Sequence, residues 1–156
     1  MSMCATAEEI WRVGQVGDAP RIAELVKAVY TKWIPVIGRL PLPMQADYAQ
    51  ALGAHEFTLV EREGDLVGLI ETEDADDHLY IVNVAVSEAS QGRGLGGRLV
   101  AHAEEKARAK GYREVRLLTN ALYEVNIRLY ERLGYEIYAR DKFENGVAVK
   151  MRKRLD

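Results

Sequence analysis

The segment Val84-Ala85-Val86-Ser87-Glu88-Ala89-Ser90-Gln91-Gly92-Arg93-Gly94-Leu95-Gly96-Gly97 limits what this chain can fold into more than any other stretch. It leads from an apolar strand pattern, Leu79 to Val86, into a helical pattern that runs from Leu95 to Lys110 and closes at Gly111. Four glycines within six residues form the joint. Such a joint brings the free N–H groups of a helix start up to a ligand, and glycine lets the backbone approach closely. Phosphate is the ligand this arrangement suits, and Arg93 and Arg98 add positive charge. Two familiar phosphate patterns fit poorly. Gly92 to Gly97 spells G-x-G-x-x-G, but five residues separate Val86 from the first glycine, where a dinucleotide turn is tight. The next strand ends in Thr119-Asn120 with no acidic residue for a ribose, and too few residues follow for the rest of a dinucleotide fold. The Walker pattern fails as well, since no Lys-Ser/Thr follows the glycines.

The rest of the chain alternates strands with helices. Ile10 to Val16 reads as a first strand, and Asp18-Ala19-Pro20 as a helix start followed by Ile22, Leu25, Val26 and Val29 at helical spacing. Trp33 to Pro43 reads as an irregular connection, and Met44 to Leu52 as a short helix ending at Gly53. Phe57 to Val60 and Leu66 to Ile70 flank the turn residues Glu63-Gly64-Asp65. Val115 to Leu118 is a strand and Asn126 to Leu133 a helix stopped by Gly134. Tyr135 to Ala139 and Val147 to Met151 pair as a closing hairpin across Asn145-Gly146. Hairpins mixed with helical crossovers predict an α/β fold with a sheet of six to seven strands. The length, 156 residues, and the absence of a linker or repeat predict a single domain over 1–156.

Composition excludes several classes. The net charge of −3 argues against a nucleic-acid partner. Residues 1–78 hold 6 basic and 14 acidic side chains and residues 79–156 hold 15 and 10, so the halves carry −8 and +5. That split suits an anionic ligand at one end and a cationic one at the other, or solvated charge without a role. No apolar run reaches the roughly 18 residues of a membrane span. A lone Cys4 makes no internal disulfide or cysteine metal cluster, and the N-terminus lacks a signal-peptide core, so a cytoplasmic protein without metal or membrane partner is expected.

Gln91-Gly92-Arg93-Gly94-Leu95-Gly96 matches Q/R-x-x-G-x-G/A, the signature of the GNAT superfamily of acyl-CoA N-acyltransferases. The strand Ile81 to Val86 before it, and Asn126-Ile127-Arg128-Leu129-Tyr130-Glu131-Arg132-Leu133-Gly134-Tyr135 after it, resemble that family too. The likeness is strongest from about 79 to 138 and rests on element order before that. It implies a mixed, mostly antiparallel sheet with helices on both faces and a splay between two parallel strands. It also implies acetyl-CoA as co-substrate, with the pantetheine arm along Val84, Ala85 and Val86 as an added strand. The pyrophosphate would lie on Gln91, Gly92, Arg93, Gly94, Leu95, Gly96 and Gly97. Asn126 and Tyr130, at i and i+4, share a helix face. By likeness Asn126 bonds the pantetheine and Tyr130 protonates the departing thiolate.

The implied activity is direct acetylation of a primary amine, whether a small molecule, a protein N-terminus or a lysine. A longer acyl chain and a non-catalytic acyl-CoA-binding or regulatory module are the alternatives. The base that must deprotonate the amine is open. The family's carboxylate position falls on Tyr80, which leaves Glu71, Asp77, His78 or water. Glu71 to Asp77 holds five carboxylates in seven residues, read either as a solvated turn or as an attractor for a cationic amine. Tyr30, Trp33 and Pro35 could wall the acceptor pocket, and His102 reads as a packing residue. The closing hairpin either ends the sheet or pairs with a second subunit in a homodimer.

Overall fold

The nearly continuous apolar run from Leu79 to Val86 suits a strand covered on both faces, and the sheet is built around it. The structure, a computed structural model, describes residues 8–143 and 146–156. Cys4 and Asn145, which carried the lone-thiol and closing-turn readings, lie outside the described residues. Seven strands form one sheet: β1 (Glu9–Val13), β2 (Glu56–Arg62), β3 (Asp65–Asp74), β4 (Leu79–Val86), β5 (Glu114–Asn120), β6 (Glu136–Phe143) and β7 (Gly146–Arg154). Their order is β1-β2-β3-β4-β5-β7-β6, and every neighbouring pair is antiparallel except β4 with β5.

Helices α1 (Ala19–Tyr30), α2 (Ile34–Ile37), α3 (Leu42–Gln45) and α4 (Tyr48–Ala54) fill the connection from β1 to β2. Helix α5 (Leu95–Ala109) joins β4 to β5, and α6 (Glu124–Arg132) follows β5. The apolar stripe of α1, with Ile22, Leu25 and Val26, packs with Tyr48, Leu59, Leu69 and Ala85 on one face of the sheet. On the other face Leu95, Leu99, Val100 and Ala103 of α5 pack on Ile70, Leu79, Ile81 and Val115. The chain therefore has the expected mixed sheet covered on both faces.

Three local expectations change. The connection expected to be irregular from Trp33 to Pro43 holds the one-turn helix α2 and the start of α3, each with a proline in its first turn. The single helix expected over Met44 to Leu52 is two, because Ala46 is extended and the Asp47 carboxylate caps a fresh helix at Gln50 N, 3.2 Å away. Gly53 consequently lies inside α4 rather than ending it. The acidic run is not one turn either. β3 carries through Asp74, which pairs in register with Leu79, and Lys110 holds the Asp74 carboxylate at 3.0 Å.

The parallel pairing of β4 and β5 stops early, at Ile81 opposite Leu117. Its cause is one residue. Glu71 opposes Asn83 while Thr72 opposes Ile81, so Val82 is an extra residue in β4. A bulge of this kind bends the strand and reverses its facing pattern. Leu79 and Ile81 look toward α5, whereas Ala85 joins the α1 cluster and Val84 and Val86 take over the α5 side. Past the bulge, the remainders of β4 and β5 part.

Candidate functional site

A cleft of about 1130 Å³ passes through the gap between β4 and β5. On the α5 side it is bordered by the glycine loop and by α6; on the α1 side, by α1 and by the α2–α4 segment.

The loop is shaped by its backbone. Gly92 and Gly94 have φ of +79° and +80°, a region that L side chains rarely adopt, and a Cβ on either would meet nothing within 4 Å. Glycine is needed there for the backbone turn and leaves the space in front of it open. Gly94 caps α5, and the first helical bond is Arg98 N to Gly94 O at 3.1 Å. The N–H groups of Leu95, Gly96 and Gly97 thus start the helix without intrahelical partners, beside the cleft. Gln91 Nε2 donates to Val86 O at 3.0 Å and ties the loop to the end of β4. This end of the cleft can take an anion.

Of the residues singled out from the sequence, Val84, Val86, Gln91, Gly92, Gly94, Leu95, Gly96, Gly97, Asn126 and Tyr130 all border the cleft. Ala85 does not, being packed into the α1 cluster, nor does Arg93, which is exposed. The Leu95 side chain is in the core, so only its backbone faces the loop. Arg98 turns away to the Glu9 carboxylate, at 2.6 and 2.9 Å.

Tyr130 is buried and meets Tyr135 edge-on at 5.9 Å, while its hydroxyl bonds none of the described residues. Burial pushes its pKa up to about 12, so the phenol stays protonated at neutral pH.

The three base candidates separate clearly. Asp77 and His78 bond each other at 2.7 Å and do not border the cleft. Glu71 does border it, only 4% exposed, and its Oε2 lies 2.6 Å from His55 Nδ1. Burial raises the Glu71 pKa, and the His55 hydrogen bond opposes that rise. His55 Nε2 reaches Glu73 Oε2 at 3.7 Å. Sequence reading missed His55, because an isolated histidine between a helix and a strand carries no pattern. Only the β2–β3 register, with Phe57 opposite Glu71, reveals the pairing.

On the same face as Glu71 stand Asn83, directly opposite it, and Tyr80. Tyr30 Oη donates to Asn83 Oδ1 at 2.7 Å. Trp33 meets Tyr123 at 4.5 Å between ring centres and roofs the cleft; Pro35 lies outside it. His102 is distant from all this, 3.2 Å from Thr58 Oγ1 and beside Trp11. Among the described residues, no group of three or more His, Cys, Asp or Glu side chains could hold a metal ion, and no helix is long and apolar enough to cross a membrane.

A sequence model of the acetyltransferase (GNAT) family matches residues 22–135. Over 86 residues the chain is 34% identical to the uncharacterized N-acetyltransferase YjgM of Escherichia coli strain K12, covering 53% of this chain and 52% of that protein. The match spans about half the length of such curated relatives. Among solved structures, the PaiA N-acetyltransferase of Thermoplasma acidophilum, in complex with coenzyme A, superposes with a TM-score of 0.79 at 15% identity, over 94% of this chain and 99% of that one. The ribosomal-protein-S18-alanine N-acetyltransferase of Escherichia coli gives 0.79 at 18% identity, over 96% and 95%.

Proposed function

The chain belongs to the acetyltransferase (GNAT) family, and from that premise we propose that it transfers an acetyl group from acetyl-CoA to a primary amine by direct attack. One observation carries the reading. A single cleft joins an anion-binding helix start, a protonated phenol and a buried carboxylate on opposite sides of a split sheet.

The residues present suit acetyl-CoA as substrate. The open glycine loop and the unpaired N–H groups of Leu95, Gly96 and Gly97 suit its pyrophosphate. The unpaired remainders of β4 and β5 leave room for an extended arm, within reach of Asn126. Bound there, the thioester supplies the acetyl group and a sulfur leaving group. Glu71 takes a proton from the ammonium form of the acceptor, and His55 donates to Glu71 Oε2, favouring its ionised form. The freed nitrogen lone pair forms the new C–N bond as the C–S bond breaks. Tyr130 gives its hydroxyl proton to the departing sulfur. The nitrogen gives up its second proton as the amide forms, and that proton restores the Tyr130 hydroxyl. Protons and charge then balance, with one proton of the ammonium on Glu71 for release to water and one carried by way of Tyr130 to the thiol. A cytoplasmic location would supply the acetyl-CoA this reaction consumes.

The test is free-thiol release from acetyl-CoA, measured over a panel of primary amines. Release that depends on an amine supports transfer. Tight coenzyme A binding without release for any acceptor class would favour a non-catalytic acyl-CoA-binding module instead, and faster release from longer acyl-CoAs would reassign the donor.

A further inference from the structure

Two buried side-chain polar atoms lack a hydrogen-bond partner among the described residues, Arg39 Nε and Asn83 Nδ2. Both belong to residues that border the cleft, and both are N–H donors. Leaving a buried donor unpaired costs more than the net gain from making the bond, so such groups stand out in a native fold. The cleft therefore offers unmatched donors, and a ligand that fits it must bring oxygens.

Arg39 is the charged member of the pair. It lies between α2 and α3, with its guanidinium carbon 5.6 Å from the Phe143 ring centre, and it makes no ion pair among the described residues. Lys32 and Arg132 also border the cleft, but both are exposed, so water satisfies them. The bordering carboxylates are already engaged: Glu71 by His55, and Asp47 by the N–H of Gln50. Asn83 Oδ1 is taken by Tyr30, and its nitrogen lies near the Tyr48 hydroxyl without a well-aligned bond. Beside Arg39 lie the rings of Phe143 and Tyr123, and Ile37, Leu42 and Trp33 also border the cleft.

We propose that the acceptor is an amine that carries its own carboxylate, an amino acid with an apolar body whose carboxylate is bound by Arg39. The proposal rests on the amine-acetylation reading and narrows its acceptor. The amine is drawn to Glu71, the body lies against the aromatic walls, and the carboxylate meets the guanidinium in a charge-assisted pair. The half-buried Arg39 guanidinium, with its Nε shut off from water and unpartnered among the described residues, matches one carboxylate. Asn83 Nδ2, deeper and opposite Glu71, takes a further oxygen of the bound reactants. Protein lysines and N-termini, which lack a free carboxylate near the amine, are disfavoured.

The experiment compares matched acceptors in the acetyl-CoA thiol-release assay. One set is phenylalanine, its methyl ester and 2-phenylethylamine; a second, with longer spacing, is 6-aminohexanoate and hexylamine. At least one free acid should exceed its neutral counterparts in kcat/KM by about tenfold or more, as expected for a charge-assisted pair. Arg39→Gln should reduce that advantage to within about threefold, with Arg39→Lys intermediate because a point charge replaces the planar fork. Coenzyme A affinity and thermal stability of both variants show that fold and donor site persist. Esters and plain amines that match the acids in the native protein would overturn the proposal, as would an acid preference that survives Arg39→Gln. If nothing releases thiol, calorimetry of phenylalanine and 6-aminohexanoate against the coenzyme A-loaded protein decides. Arg39-dependent binding keeps the carboxylate subsite and sinks the transfer reading, whereas absence of binding sinks the carboxylate subsite.

Discussion

Gly94 and Gly111 form a natural pair of positions for isolating the phosphate role of the loop. Both have left-handed φ, +80° and +85°, and at both an added Cβ meets nothing within 4 Å. They stand at opposite ends of α5, Gly94 as its N-cap and Gly111 just beyond its last residue. Only Gly94 borders the cleft. A non-glycine residue in this conformation costs about 1–2 kcal/mol, and a β-branched one sits at the upper end. Gly94→Val and Gly111→Val should therefore each lower Tm by about 4–8 °C, since about 2 kcal/mol corresponds to that range in a domain of this size. Their ligand behaviour should diverge. Gly111→Val should bind coenzyme A like the native protein. Gly94→Val should lose at least about tenfold in Kd, or about 1.4 kcal/mol, because the isopropyl group projects where the phosphates approach. Isothermal calorimetry with coenzyme A on the two folded variants measures the difference directly. Equal affinities for the pair, with equal losses of Tm, would show that Gly94 serves the turn alone and would refute the phosphate argument.

Tyr130→Phe removes a hydroxyl that bonds no described residue, so stability should change little while kcat falls by roughly 10- to 1,000-fold; unchanged kcat with chemistry rate-limiting would return Tyr130 to the core. Glu71→Gln should abolish most turnover yet hold or raise Tm at pH 7–8. The folded-state pKa of Glu71 is raised, so its ionised form weakens the fold above that pKa, and the variant's gain should vanish below the usual carboxylate range near pH 4. The acid limb of kcat/KM follows the same group: activity is lost as pH falls through the raised Glu71 pKa, and His55→Phe should move that limb to higher pH, because the opposing hydrogen bond is gone. Asp76→Asn combined with Asp77→Asn should leave acceptor KM within about twofold even at low salt, since neither residue borders the cleft and exposed charge is screened over about 8–10 Å.

The glycine loop and the Asn126–Tyr130 pair, which border the cleft, were legible through the motif and its resemblance because that pattern is local. Leu79 to Val86 is a nearly continuous apolar run, the glycines follow within a short loop, and Asn126 and Tyr130 share a helix face by spacing. The acceptor half depends on contacts between distant segments. Glu71 looked like one carboxylate among five in a solvated run, and nothing in that run marks it as the one turned inward. Its burial follows from the continuation of β3 past Ile70 and from its register against Asn83. His55 reaches it only through the β2–β3 pairing, and Arg39 reaches Phe143 across about a hundred residues of chain, which local pattern cannot report.

A single inserted residue decides most of this geometry. Were Val82 paired in the ladder instead of bulged, Leu79, Ile81, Asn83 and Ala85 would share one face of β4, and Asn83 would point into the apolar packing beneath α5. With the bulge, Leu79 and Ile81 stay on the α5 side, while Asn83 and Ala85 turn toward α1 and place the Asn83 amide beside Tyr30 and Glu71. The same bend ends the β4–β5 pairing at Ile81 and Leu117, so the gap that can admit a thioester arm begins where the strand changes face. On the proposed function, one backbone irregularity thus shapes both the gap for the donor and the side of the cleft that would hold the acceptor. Deleting Val82 leaves Asn83 opposite Glu71 in a regular strand, so it should remove the bend and close the gap, weakening coenzyme A binding at least about tenfold while the Asn83–Tyr30 bond persists; unchanged affinity by calorimetry would refute the bulge as the cause of the gap.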